Sequence, residues 1–174
     1  MHLQFDTSKE ALFCSIEITK DSLTFLNEHH YNHYFPSALS GDDDAQMLEQ
    51  ISRDQQEFFY EQRASALKAA WDKIKPLINQ IFSSKNEFEL LSRTGSYVCR
   101  VTMYGPSGYF EEPNIVYVNI TIGNEEFWME TVLYEILHLW IDQKEKDLPH
   151  EQREEYIDSM FLSLFGEMFP NYKK

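Results

Sequence analysis

The chain has 174 residues, 43% of them hydrophobic and 15% aromatic, a composition that supports a packed core and argues against disorder. Its 29 acidic residues against 15 basic ones give a net charge of −14, which disfavours nucleic acid and anionic membrane surfaces as partners. No apolar run approaches the roughly 20 residues of a membrane helix, and MHLQFDTSKE lacks the basic-then-apolar order of a signal peptide, so a cytoplasmic location is expected.

Taken in chain order, Ala11–Ile18 fits either a strand or part of a helix, and Asp21 reads as a cap before SLTFLNEHH. The segment FPSALSGDDD, Phe35–Asp44, reads as a break before a long helical stretch. From Asp44 to Phe82 there is no glycine, and Met47, Ile51, Phe58, Leu67, Trp71, Ile74, Ile78 and Ile81 recur at broadly helical spacing. One or two helices are expected there, with a kink or end near Pro76. The period then changes. Phe88–Leu91 and Tyr97–Met103 read as strands joined by the turn Arg93-Thr94-Gly95, and Tyr104–Gly108 reads as a second turn. NIVYVNITI, Asn114–Ile122, is rich in β-branched residues and is the clearest strand. Two helices follow, Glu125–Gln143 and His150–Phe169. The order implies one α+β domain over residues 1–174, with N-terminal helices, a small and mostly antiparallel sheet, then two further helices. The two cysteines, Cys14 and Cys99, are expected to be reduced.

The chemistry concentrates in the last two helices. ETVLYEILHLWI places Tyr134, Glu135 and His138 in the frame of an H-E-x-x-H motif, with tyrosine at the first histidine position. At about 100° per residue, positions i and i+4 stand about 40° apart and one turn up the same face, so two side chains there can grip one ion. The intervening glutamate can take a proton from a water on that ion. On the next helix Ile157, Phe161, Leu164, Phe165 and Met168 mark a buried stripe, and Glu154 falls on it while Glu155 falls off it. A carboxylate facing a core is costly unless paired or metal-bound. Asp158 follows Glu154 by one turn and can hydrogen-bond its partners.

These pieces resemble the minimal gluzincin family of small bacterial zinc metallopeptidases. There a Gly-rich turn and a strand precede an H-E-x-x-H helix, and E-x-x-(V/I)-D follows on the next helix. The matching segments are GPSGY, NIVYVNI, ETVLYEILHLWI and EEYID, over residues 104–169. The resemblance implies a zincin-like fold, a strand lining a cleft, and, in intact members, zinc-dependent peptide hydrolysis. It assigns His138 as second metal ligand, Glu135 as general base and Glu154 as third ligand.

Tyr134 departs from that pattern. Neutral imidazole binds zinc directly, whereas a phenol with a pKa near 10 must first lose its proton. His138 and Glu154 alone make two ligands, against the three that catalytic zinc takes from protein. The expectation is therefore a zincin-like protein with a degraded zinc site, catalytically inactive and acting by binding a peptide or protein. Two alternatives are an active zinc peptidase with a Tyr134, His138, Glu154 ligand set, and an acidic interaction or inhibitor-type protein directed at a basic partner. An ordinary amphipathic surface helix would also place Thr131, Tyr134, Glu135 and His138 on one arc. Three histidines, His29, His30 and His33, form a second cluster, but no other ligand group accompanies them, and a His/Tyr-rich helix end is the simpler reading. No G-x-S-x-G, P-loop or G-x-G-x-x-G signature is present.

Overall fold

The computed structural model describes residues 1–40, 43–84, 95–142 and 149–172. It opens on a strand, β1 (His2–Asp6), which the sequence reading did not foresee, and passes directly into helix α1 (Lys9–Glu28). Ser8 caps that helix, its hydroxyl accepting from the Ala11 amide at 3.2 Å, while Asp6 accepts from the Ser8 amide at 3.0 Å. Asp21 is therefore an exposed residue inside α1 rather than its cap, and residues 11–18 are helical. Leu12, Ser15, Ile16 and Thr19 repeat at helical spacing and are buried, each apolar one contributing about 1.5–3 kcal/mol on burial.

Strand β2 (His33–Tyr34) and a single 3-10 turn (Ser37–Ser40) lead to helices α2 (Asp44–Glu57) and α3 (Tyr60–Ser84). The break between them falls at Phe58 and Phe59, where Phe59 takes a left-handed φ of 52°, and not at Pro76, which lies inside α3. A proline costs that helix one backbone donor. The buried Trp71, Ile78 and Phe82 on either side of it hold the helix in place by packing.

Strands β3 (Ser96–Thr102), β4 (Gly105–Pro106), β5 (Gly108–Glu111) and β6 (Ile115–Asn119) follow, then helices α4 (Glu125–Asp142) and α5 (His150–Phe165). The chain is thus α+β, as expected. The expected strand over residues 88–91 and turn residues 93–94 lie outside the described residues. The main sheet has the order β1-β3-β6-β5, and only the β5–β6 pair in it is antiparallel. The expectation of a mostly antiparallel sheet is corrected on this point: β1 pairs with β3 and β3 with β6 in parallel. Parallel neighbours need a crossover: helices α1, α2 and α3 lie between β1 and β3, and residues 103–114, with β4 and β5, lie between β3 and β6. A second, two-stranded sheet pairs β2 with β4.

Alternation sorts the sheet's side chains. Cys99, Val101, Val116 and Val118 are fully buried. The opposite face carries a row set by the register: Asp6 beside Arg100, Arg100 beside Tyr117, and Tyr117 beside Tyr109. Arg100 bonds to the Tyr117 hydroxyl, and the Tyr109 and Tyr117 rings stack at 4.1 Å. Helix α4 packs on β5 and β6 and against α3 and α5, and α1 packs on β3 and β4. All three tryptophans, Trp71, Trp128 and Trp140, are core residues, and the Trp128 indole donates to the Ile122 carbonyl at 2.7 Å. Cys99 is buried and Cys14 half-buried, and the two thiols are free. No described helix is long and apolar enough to cross a membrane.

Candidate functional site

A cavity of about 740 Å³ runs along β5, walled by the second half of α1 on one side and by α4 and α5 on the other. Strand β5 is the last strand of its sheet, so its outer edge is unpaired among the described residues. Gly108 brings that strand onto α4: a Cβ there would overlap Thr131 and come within 2.9 Å of Glu135 Oε1. Only a glycine permits so close an approach.

Helix α4 is buried on most sides through Val132, Leu133, Ile136, Leu137 and Leu139. The remaining face turns Glu130, Thr131, Tyr134, Glu135 and His138 to the cavity, spaced by three and four residues. From α5, Glu154 reaches the same place: its Oε1 lies 3.5 Å from His138 Nε2, and its Oε2 accepts from the Tyr134 hydroxyl at 2.9 Å. Asp158 stands behind, one turn along, with Oδ1 3.2 Å from that same hydroxyl. The Tyr172 hydroxyl also donates to Asp158 Oδ1, at 2.6 Å. A phenol carries one proton, so Tyr134 serves one of the two carboxylates at a time.

The electrostatics follow from that arrangement. Burial pushes the Tyr134 hydroxyl pKa well above the phenol range, and the Glu154 charge and hydrogen bond add to it. Tyr134 keeps its proton in this setting. Burial likewise raises Tyr172, whose bond to Asp158 acts in the same direction. Glu135 is only 8% exposed, makes no hydrogen bond among the described residues, and its carboxyl is pushed up to about 7, by burial first and then by Glu154 against an opposing pull from His138. Burial raises the Glu130 carboxyl too, with Glu126 adding to it.

Of the residues singled out from the sequence in α4 and α5, Tyr134, Glu135, His138 and Glu154 therefore line one cavity, and Asp158 joins them behind it through the Tyr134 hydroxyl. Among the described residues no group of three His, Cys, Asp or Glu side chains is arranged around one point as a metal cage. The histidine cluster is elsewhere in character: α1 ends at Glu28, so His29 and His33 do not share a helix face, and His33 Nδ1 pairs with the Tyr31 carbonyl at 2.8 Å. Several cavity residues escaped the sequence reading. Phe110 stacks on the His138 ring with centroids 5.2 Å apart, and Tyr172 stacks on Phe161 at 4.4 Å. Glu130 carried a usable signal, four residues before Tyr134 on the same face. Phe110 and Tyr172 carried none, since one sits in the unassigned stretch between the second turn and the Asn114–Ile122 strand and the other beyond the last helix. No family profile, curated protein or solved structure matches the chain.

Proposed function

We propose that this protein binds an extended polypeptide in a zincin-like cleft and does so without catalytic zinc. The observation that carries the reading is the Tyr134 hydroxyl, held 2.9 Å from Glu154 and 3.2 Å from Asp158. A zinc ligand must be deprotonated, and a catalytic zinc takes three protein ligands. Here the first of the three positions is a phenol whose proton is retained by burial and by two carboxylates. That proton gives Glu154 a hydrogen bond where a metal would otherwise neutralise its charge. The donor set therefore does not fit a catalytic zinc ion. The edge of β5 along the cavity, unpaired among the described residues, supports the choice of ligand, because an extended peptide adds to such an edge through main-chain hydrogen bonds.

The test is metal analysis of the purified protein, as isolated and after zinc addition, alongside peptide binding with and without chelator. The expected result is far less than one zinc per chain and binding that chelator leaves unchanged. Stoichiometric zinc that disappears in His138→Ala would overturn the reading.

A second reading, a working zinc peptidase with Tyr134, His138 and Glu154 as ligands, rests on one distance. His138 Nε2 and Glu154 Oε1 are 3.5 Å apart, close to the separation of about 3.3 Å that two ligands take around a tetrahedral ion with ~2.0–2.2 Å bonds. It requires Tyr134 to surrender its proton, and the same metal analysis separates the two.

A further inference from the structure

Carboxylates dominate the charge lining the cavity, and among the described lining residues His138, 3.5 Å from Glu154, is the one basic side chain. Glu130, Glu135 and Glu154 face it, and no Lys or Arg is among the described lining residues. Glu135 is the most telling of them. It is 8% exposed, lies at the cavity wall, and has no hydrogen-bond or ion-pair partner among the described residues. Burying a carboxylate without a partner is costly, and the cost is recovered when a cation arrives. Glu130 stands one turn before Tyr134 on the same face and is also without a hydrogen bond or ion pair among the described residues.

The α1 side of the cavity supplies a different chemistry. Phe25 and Tyr31 line it, are 49% and 43% exposed, and stack on each other with centroids 5.8 Å apart. Aromatic side chains of this size at a cavity mouth present both apolar surface and ring faces, which attract an organic cation and cover the methylenes that carry it. A cavity with aromatic rings on one wall and carboxylates on the other suits a long side chain with a cationic head. It repels phosphates and carboxylates.

We propose that the cleft selects a basic side chain, lysine or arginine, of the bound polypeptide, seating its cationic head among Glu130, Glu135 and Glu154 and its stem along Phe25 and Tyr31. This rests on the peptide-binding reading above and adds the specificity of one subsite. It also gives the chain's net charge of −14 a local use, since the general field draws a basic partner toward the same cleft.

The test uses the full chain and two fluorescein-labelled peptides of Ala and Thr that are identical except for a central lysine or norleucine, read by fluorescence polarisation. The lysine peptide is expected to bind at least about tenfold more tightly, a preference that shrinks as salt is raised. Glu130→Gln, which removes no hydrogen bond or ion pair among the described residues, is expected to cut that preference to about threefold or less. Equal affinity for the two peptides overturns the basic subsite and leaves the peptide-binding reading standing. A lysine preference that persists undiminished in both Glu130→Gln and Glu135→Gln overturns the assignment of the subsite to these residues. If neither peptide binds up to about 1 mM, the peptide-binding reading and the subsite fall together.

Discussion

Tyr134 on α4 reaches across to Glu154 on α5 and donates its hydroxyl to Oε2 at 2.9 Å, so the two helices are joined by a phenol where a gluzincin would join them by an ion. The helix pair gets its polar link at a modest energetic scale. A hydrogen bond to a charged group contributes about 1.5–3 kcal/mol, against the much larger figure a structural metal supplies.

Removing that hydroxyl should be measurable. Tyr134→Phe leaves Glu154 without this donor, and Asp158 with Tyr172 as its remaining donor among the described residues. Urea unfolding is expected to show a loss of about 1–3 kcal/mol at neutral pH. A variant as stable as the parent would mean that the phenol's proton holds nothing together.

Tyr134→His should do the opposite for metal. It supplies the imidazole missing from the set, next to His138 and Glu154, whose facing atoms are 3.5 Å apart. Zinc titration followed by thermal unfolding is expected to raise the Tm of the variant and to leave the parent unmoved, since a ligand stabilises only the state that binds it. No response to zinc in a folded variant would count against the zincin-like frame itself.

Glu135 predicts a pH dependence of definite sign. Its carboxyl is raised from 4.5 to about 7 in the folded protein. Between those values the folded chain holds a proton that the unfolded chain has lost, so stability falls as pH rises through that window and levels off above it. Glu135→Gln removes this cost. The variant is expected to be more stable than the parent by about 1–3 kcal/mol at pH 8, a gain that vanishes near pH 4.5. Denaturation curves across that range decide the matter, and a gain that does not vary with pH would show that the carboxylate's charge is not its cause.

Gly108 gives a prediction about shape. An added Cβ would meet Thr131 and stand 2.9 Å from Glu135 Oε1, both on a buried helix with little room to yield. Gly108→Ala is expected to cost about 1–3 kcal/mol and to weaken peptide binding by displacing β5 from α4. Crystallography or hydrogen exchange of β5 in the variant would show whether the strand has moved.

What the sequence disclosed follows from how local each feature is. The frame of α4 and α5 was legible because a buried helix and an amphipathic one write their periods into the chain, and the inward Glu154 could be read from its place on the Ile157–Phe161 stripe. Strand β6 was legible from its β-branched run. Strand β1 was not: HLQFD has no strong pattern, and its partner β3 is about 94 residues further on by register (His2 opposite Ser96). Parallel pairing of that kind leaves no turn to read. The α2–α3 break was missed because Phe59, rather than a glycine, takes the left-handed turn. The cavity's aromatic wall on α1 depends on how the helix docks, which no local spacing records.

The placement of the tryptophans divides the protein's optical signals. Trp71, Trp128 and Trp140 are packed in the core and none is among the described residues that line the cavity, whereas Tyr31, Tyr109, Tyr134 and Tyr172 do line it. Indole emission therefore reports whether the chain is folded. The change in tyrosine absorption on binding, read against the constant contribution of the three core indoles, senses what occupies the cleft. Loss of stability and loss of binding in any variant can thus be followed separately, in one cuvette and without a label.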